Sequence, residues 1–226
     1  MGYSKFLGSD PFAGAVFKRV GAGLALAGVA ALLIPKGADV LWINSHHHGL
    51  LDYFFSAITL LGDGIWILPA LAIVLFIRFE YAIQFMLSGV LCGALVSLGK
   101  RVLFADAGRP ITLLDHRLLH FVEGVKVHSH HSFPSGHTAT AFVVAVGLAI
   151  YLKNKHATIV LLLLACLVGY SRMYLLQHFL VDVVGGAAIG VISVYTVYAI
   201  KPFHSKKWAR QKLQVGKRKQ LEPIQN

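Results

Sequence analysis

The chain has 226 residues, of which 56% are hydrophobic and 14% are charged, and its mean hydropathy is +0.66. This composition is too apolar for an ordinary soluble domain and predicts several membrane-spanning helices packed together. The net charge of +11 does not indicate a nucleic-acid-binding protein, because eight basic residues lie in the last 26 positions, directly after an apolar run. A basic segment in that position is typical of a cytoplasmic anchor beside anionic lipid headgroups.

Six apolar segments predict an all-α integral membrane bundle of six helices. Between the first and second segments, residues 39–63 mix histidines and Asp52 with an apolar run, which predicts an interfacial amphipathic helix instead of a full span. We therefore expect a single membrane domain over residues 1–200 and a basic cytoplasmic tail over residues 201–226. The predicted spans are residues 20–34, 65–79, 82–102, 135–152, 157–170 and 179–200.

The distribution of lysine and arginine predicts the orientation of these helices. With the N-terminus inside, fourteen of the 21 basic residues fall on the inner side and seven on the outer side. This bias favours cytoplasmic termini. The same threading brings the ends of the third and fifth helices and the starts of the fourth and sixth to the outer surface. Polar residues at these four helix ends are therefore expected to lie together.

The third predicted helix ends in residues 100–110, with the sequence KRVLFADAGRP. Lys100 and Arg101 close the apolar run, and Arg109 precedes a proline that we expect to stop a helix. Basic residues at a membrane surface often only extend their charged ends into water. Lysine and arginine are nevertheless unfavoured on the outer side, which favours a role in anion binding.

Residues 134–137, PSGH, precede the fourth apolar run. The proline, Ser135 and Gly136 predict a helix start that Ser135 caps. The N–H groups at such a start can bind an anion, and Gly136 allows close approach. His137 in the first turn can transfer a proton to the same ligand. A capped helix with an incidental histidine would give the same tetrapeptide.

Residues 171–182, SRMYLLQHFLVD, connect the last two predicted spans. His178 and Asp182 are four residues apart at the start of an apolar helix, so we expect them to share one face. The carboxylate can then hold the imidazole in one tautomer, although a structural hydrogen bond or a helix cap is an alternative. Arg172 offers a guanidinium suited to phosphate oxygens, although an ordinary interfacial arginine also fits this position. Taken together, the three segments provide the groups that phosphoryl transfer needs.

The three segments together resemble the type 2 phosphatidic acid phosphatase family, whose motifs have the form KxxxxxxRP, PSGH and SRxxxxxHxxxD. The second and third motifs match residue for residue. In the first, Arg109 and Pro110 fit, whereas Lys100 stands two residues and Arg101 one residue before the family's lysine position. The resemblance extends over about residues 44–200 and implies a membrane lipid phosphatase that uses no metal or other cofactor.

The resemblance also implies a role for each candidate residue. His178 attacks phosphorus and forms a phosphohistidine, Asp182 orients it, and His137 protonates the leaving oxygen. The residues implied to hold the phosphate are Lys100, Arg109, Ser135, Gly136 and Arg172. Secondary candidates are Arg101, Ser171 and His131.

The expected reaction is metal-independent hydrolysis of a lipid phosphate or pyrophosphate, with the site facing the exterior of a bacterial inner membrane. Membrane lipids are the expected partners, nucleic acid is not, and the sequence sets no oligomeric state. The motifs do not choose among undecaprenyl pyrophosphate, phosphatidylglycerophosphate, phosphatidate and lipid A phosphate. Phosphotransfer to another lipid or an alcohol is an alternative. A transporter is disfavoured because no charged path crosses the bilayer centre, and the haloperoxidases that share these motifs are soluble.

The loop histidines and Asp63 are expected to have at most minor roles. The histidines 46–48, His128 and His130 lack acidic or cysteine companions at ligand spacing, so no metal site is predicted. Asp63, between Gly62 and Gly64, is interpreted as a turn residue with at most a minor role in the site.

Overall fold

A computed structural model describes residues 10–201 and 205–213. These residues form nine α-helices joined by short 3-10 and π-helical turns, with no β-strand among them. Most of the predicted basic tail, residues 202–204 and 214–226, lies outside the described residues. The helices are α1 (Pro11–Leu33), α2 (Ala38–Ser45), α3 (Gly49–Ile58), α4 (Ile67–Leu75), α5 (Phe79–Leu98), α6 (Pro110–Leu113), α7 (Gly136–Leu152), α8 (Lys155–Tyr174) and α9 (Leu180–Ile200).

Side-chain caps explain where the long helices begin. Asp10 caps α1 by accepting the N–H of Ala13 at 3.3 Å. Asn154 caps α8 in the same way at 3.0 Å, and Ser135 caps α7 through the N–H of Thr138 at 3.4 Å. Each of these caps satisfies a backbone donor that the first helical turn leaves without a partner. The helix start predicted from the PSGH segment is thus where α7 begins.

Helix α7 lies at the centre of the bundle, and most of its residues are buried against α5, α8 and α9. Helix α9 approaches it closely because two of its residues are glycines. A Cβ atom on Gly190 would lie 2.5 Å from the carbonyl oxygen of Ala139, and one on Gly186 would collide with the carbonyl of Ser135. Small residues four apart bring the two backbones into contact, as is common in membrane helix pairs.

Four helical segments are long and apolar enough to cross a membrane, namely Pro11–Leu33, Phe79–Leu103, Lys155–Tyr174 and Leu180–Ile200. They correspond to the first, third, fifth and sixth predicted spans. A fifth candidate consists of Gly49–Gly62 and Gly64–Leu75, which are bent by 55° relative to one another. An all-helical membrane protein is therefore supported, whereas the predicted count of six spans is not confirmed.

The second and fourth predicted spans differ from the helices observed. The second is shortened to the nine residues of α4, because the 3-10 turns Thr59–Gly62 and Gly64–Trp66 break the helix before it. The fourth, α7, has 17 residues, which is short for a span, but its neighbours enclose it. Residues 39–63 hold α2, α3 and the first 3-10 turn. The predicted interfacial helix is therefore not confirmed, because α3 is one arm of the bent pair.

Candidate active site

The end of α5, the start of α7, the end of α8 and the start of α9 meet at one end of the bundle. The backbone N–H of Ser135 donates to the carbonyl of Asp182 at 2.9 Å, which joins the starts of α7 and α9. His131 Nδ1 lies 2.9 Å from the carbonyl oxygen of Lys100, where α5 ends. The three sequence segments are therefore brought together in one region.

His178 lies in the connection between α8 and α9, one residue before the N-cap of α9, and not on the helix itself. The expectation that His178 and Asp182 share a helical face is therefore wrong. The two side chains still approach, with His178 Nδ1 3.5 Å from Asp182 Oδ2, which is long for a hydrogen bond. That Asp182 oxygen is held instead by the hydroxyl of Ser132 at 2.5 Å and the N–H of Phe179 at 3.0 Å.

The imidazole of His178 is almost completely buried, with 1% of the residue exposed. Burial lowers the pKa of His178 to about 3, and the nearby cations Arg109 and Arg172 act in the same direction, whereas Asp182 opposes them. The ring is therefore neutral at neutral pH. A neutral imidazole has a free lone pair, so His178 is in the state that a nitrogen nucleophile requires.

Arg109 is buried and held by three hydrogen bonds. Its Nε donates to the carbonyl of His130 at 2.9 Å, and its Nη1 donates to the side-chain and main-chain oxygens of Gln177 at 2.8 Å and 3.1 Å. Burial lowers the pKa of Arg109, and Asp182 acts in the opposite direction, but an arginine remains a cation. Pro110 begins α6 instead of stopping a helix, since proline suits the first helical position.

Arg172 lies in the last turn of α8, and only 8% of it is exposed. Its Nη1 donates to Thr59 Oγ1 at 2.6 Å. Thr59 begins the first of the two 3-10 turns between α3 and α4. Within the described residues, the buried Nε of Arg172 has no hydrogen-bond partner, and neither has His178 Nδ1. Buried donors without partners are uncommon in folded proteins and mark a place where a ligand can supply the acceptor.

Lys100 lies in a π-helical turn, Gly99–Leu103, that ends the third span. The N–H of Phe104 bonds to the carbonyl of Gly99 at 2.9 Å, so one more residue is accommodated than in an α-helical turn. The ammonium group lies close enough to Arg109, Arg172 and Asp182 to interact with their charges. Arg101 is exposed. Lys100, and not Arg101, therefore lies near Arg109 and Asp182, despite its displaced position in the sequence.

Ser135 and Gly136 form the first turn of α7. Ser135 is fully buried, its hydroxyl lies 2.8 Å from Thr138 Oγ1, and it also caps the helix. The hydroxyl is thus engaged inside the protein. Gly136 lines a cavity together with His137, and its N–H belongs to the turn where helix donors lack internal partners. Of the two residues, the predicted phosphate contact fits Gly136 better.

The ring of His137 is partly exposed and meets a carboxylate from another part of the chain. Nε2 of His137 lies 2.9 Å from Asp63 Oδ1, and about a third of the histidine side chain remains accessible. Asp63 was interpreted from sequence as a turn residue. It does lie between two 3-10 turns, but its carboxylate also faces the site.

Two secondary candidates have structural roles. Ser171 is completely buried, and its hydroxyl donates to the carbonyl of Val168 in its own helix at 2.7 Å. His131 is exposed at positive φ (56°) and bonds the backbone of Lys100. Burial lowers the pKa of His128, and the cations Arg109 and Lys126 act in the same direction.

Four residues near the site were missed or undervalued in the sequence, namely Thr59, Asp63, Ser132 and Gln177. Ser132 and Gln177 are each adjacent to or inside a recognised motif, so their proximity was the available signal. For Asp63, the signal was its position between two glycines, which marks a turn. Thr59 carries no sequence signal at all, because its contact with Arg172 spans 113 residues.

Nothing in the described part of the chain resembles a metal site. No group of three or more His, Cys, Asp or Glu side chains there is arranged to hold an ion. Two of the loop histidines have other partners. His47 and His120 stack at 3.8 Å between ring centroids, and His120 Nε2 lies 3.0 Å from Asp52 Oδ2.

Comparison with known proteins agrees with this arrangement. Residues 79–206 match the PAP2 superfamily. Lipid A 4'-phosphatase of Bacteroides thetaiotaomicron is 30% identical over an alignment of 177 residues, and the match covers 71% of this chain and 74% of that protein. The crystal structure of Aquifex aeolicus LpxE is 34% identical, with a TM-score of 0.62, and the match covers 70% of this chain and 91% of that one.

A second solved structure shares the fold at lower identity. It is described as the first transmembrane PAP2 type phosphatidylglycerolphosphate phosphatase from Bacillus subtilis, and it is 23% identical with a TM-score of 0.51. The match covers 81% of this chain and 94% of that one. With a match over more than half of its residues and relatives of this kind, the chain belongs to the PAP2 superfamily and is an integral membrane lipid phosphatase, as its motifs predicted.

Proposed function

We propose that the chain hydrolyses a lipid phosphate or pyrophosphate at the outer membrane surface, without a metal, through a phosphohistidine on His178. The observation that carries this proposal is the buried Nε of Arg172, which has no hydrogen-bond partner among the described residues and lies beside the cations Lys100 and Arg109. An anion bound among these groups would supply the missing acceptor and would offset several positive charges at once.

The reaction divides into two balanced steps. In the first, the neutral ring of His178 forms a bond to phosphorus while the bond from phosphorus to the leaving oxygen breaks, and His137 gives that oxygen a proton. In the second, water attacks phosphorus, the bond from phosphorus to nitrogen breaks, and His137 takes the proton of the water. Lys100, Arg109 and Arg172 hold the oxygens in both steps, which suits a reaction that depends mainly on positioning and charge stabilisation.

The carboxylate of Asp182 is held in place beside His178 by hydrogen bonds. Two donors, from Ser132 and from the backbone of Phe179, hold one of its oxygens beside His178. The carboxylate therefore stands ready to stabilise positive charge that develops on the ring as the phosphohistidine forms. The 3.5 Å separation from Nδ1 shortens into a hydrogen bond in the reacting complex.

The outer surface is inferred from charge, because the site lies at the end of the bundle with fewer basic residues. Cysteine substitutions at exposed positions test it. In intact cells, an impermeant maleimide should label Arg117→Cys, in the loop between α6 and α7, and should not label Lys155→Cys at the start of α8. Labelling of only Lys155→Cys would reverse the orientation.

The substrate proposed for the first test is a phosphorylated lipid A disaccharide, because a relative 30% identical carries the name lipid A 4'-phosphatase. The residues at the site address the phosphate alone, and the headgroups named for related proteins differ. A panel should therefore also contain phosphatidylglycerophosphate, phosphatidate and undecaprenyl pyrophosphate.

The experiment measures phosphate release by the full chain in detergent. Wild type should release phosphate from at least one lipid of the panel in the presence of EDTA, and alkaline quenching should trap a labelled phosphohistidine. His178→Ala should lose roughly 10³-fold or more of kcat, as is typical for removal of a nucleophile. The matched control is His156→Ala, an exposed histidine near the start of α8. Full activity of His178→Ala, or activity that EDTA abolishes and Mg²⁺ restores, would contradict the proposal.

A further inference from the structure

The break between α3 and α4 contacts both halves of the site. Thr59, at its beginning, accepts the hydrogen bond from Arg172, and Asp63, at its end, pairs with His137. Gly62 presses the turn against the neighbouring helices, since a Cβ atom there would lie 2.7 Å from His137 Cβ and 2.8 Å from Val168 Cγ1. The position of Asp63 is therefore set by backbone packing.

The charges around His137 are mostly positive. Burial disfavours a charge on the ring, Arg172 from α8 and Lys100 from the end of α5 act in the same direction, and the carboxylate of Asp63 opposes them. A histidine must be protonated before it can give a proton to a leaving oxygen. Neighbouring cations disfavour the protonated ring, and a neighbouring carboxylate favours it. Asp63 thus supplies the negative charge that favours protonation of His137.

The contact also decides which ring nitrogen is available. Nε2 of His137 is paired with Asp63 Oδ1 at 2.9 Å, so Nδ1 is the ring nitrogen that remains available to the substrate. His137 and Asp63 both line a cavity of about 380 Å³ between this turn, α5 and α7. In α5 its wall includes Gly89 and Gly93, and a Cβ atom on Gly93 would meet nothing within 4 Å. A leaving group has room beside the ring.

We propose that Asp63 is the positioning residue of the proton donor: it binds Nε2 of His137, favours the protonated form of the ring, and directs Nδ1 to the leaving oxygen. This inference rests on the proposed function. In the first step, the Nδ1 proton passes to the leaving oxygen while Nε2–H stays bonded to Asp63. In the second, Nδ1 takes a proton from the attacking water, so the ring returns to its starting state.

The test compares leaving groups that do and do not need protonation. Asp63→Asn should lower kcat for an alkyl phosphate lipid by roughly 10- to 100-fold, within the range expected of general acid catalysis. For 4-nitrophenyl phosphate, whose leaving phenolate is stable without a proton, kcat should change less than about threefold. KM for the lipid should stay near the wild-type value, and Asp63→Glu should restore part of kcat.

Two further readouts distinguish positioning from a purely structural role. The alkaline limb of kcat for the lipid should move to lower pH in Asp63→Asn, because the carboxylate that holds the proton is gone. The double variant with His137→Ala should be no slower than His137→Ala alone, since the two residues act through one proton. The matched control is Asp115→Asn, an outer-loop carboxylate paired with the exposed Arg117.

Equal losses on both substrates, an unshifted pH profile or a wild-type kcat in Asp63→Asn would each overturn the role of Asp63 while leaving the proposed function intact. The proposed function fails in a different way. In that case wild type itself releases no phosphate from any substrate of the panel, and the inference on Asp63 falls with it.

Discussion

The two ends of the bundle differ in the balance of their charged groups. At the end away from the site, Asp10 meets Lys153 at 2.8 Å and Tyr198 at 3.1 Å. At the site, cations outnumber carboxylates, and the buried Nε of Arg172 has no hydrogen-bond partner in the described part of the chain. Polar groups that satisfy each other stabilise a fold, whereas unsatisfied ones lower its stability and are retained where a ligand completes them.

Among the changes that test this contrast between the two ends, the largest effect is expected from Arg172→Ala. Removing this buried cation should lower kcat/KM by roughly 10²- to 10³-fold, the range for loss of one preorganised donor at a developing charge. Arg172→Lys should recover only part of the loss, because an ammonium group cannot reproduce both guanidinium contacts. Phosphate release in detergent measures both, with the exposed Arg117→Ala as control. Near-normal activity of Arg172→Ala would remove the contrast between the two ends.

An intermediate effect concerns pH and stability. The pKa of His178 in the folded chain is lowered to about 3 from an ordinary 6.5, so folding favours the neutral ring. This contribution to stability is fully present above pH 6.5 and is lost as the pH falls from 6.5 towards 3. The thermal midpoint of wild type should therefore fall more steeply over this range than that of His178→Asn, which has no proton to gain. Parallel curves would show that His178 is not buried as described.

The smallest effect is expected at the opposite end. Lys153→Met removes the ion pair with Asp10, and since about half of the lysine side chain is exposed, the cost should be only about 0.5–1 kcal/mol. The thermal midpoint should drop slightly, and kcat should stay at the wild-type value. A marked loss of kcat with an unchanged midpoint would mean that this end is coupled to the reaction.

The sequence predicted the parts of the fold that depend on local signals. Long apolar runs identified four spans, and the proline, Ser135 and Gly136 located the start of α7. It did not predict that Gly49–Gly62 and Gly64–Leu75 form a pair of helical arms bent by 55°, because residues 54–61 and 65–76 are both apolar and only Gly62 and Gly64 mark the turn. Hydropathy reports how apolar a segment is, but it does not show whether two consecutive apolar segments form one straight helix or two bent arms.

For the site, the sequence predicted the residues better than their contacts. The motif residues His178, Asp182, Arg109 and Arg172 do converge, and Lys100 is brought to them by a π-helical turn that no spacing rule anticipates. Asp63 and Thr59 are far from the motifs in sequence. Their contacts with His137 and Arg172 depend on how the broken span packs, which is a property of the whole bundle.

The contact between the backbones of α7 and α9 bears on how the protein responds to its lipid surroundings. At Gly186 and Gly190, main chain rests on main chain, and the N–H of Ser135 bonds the carbonyl of Asp182 at 2.9 Å just above. Such a contact has no flexible side chain to compress or rearrange. Changes in bilayer thickness or tension, which tilt whole helices, should therefore shift the two as one unit and leave the separation of the PSGH turn from Asp182 unchanged.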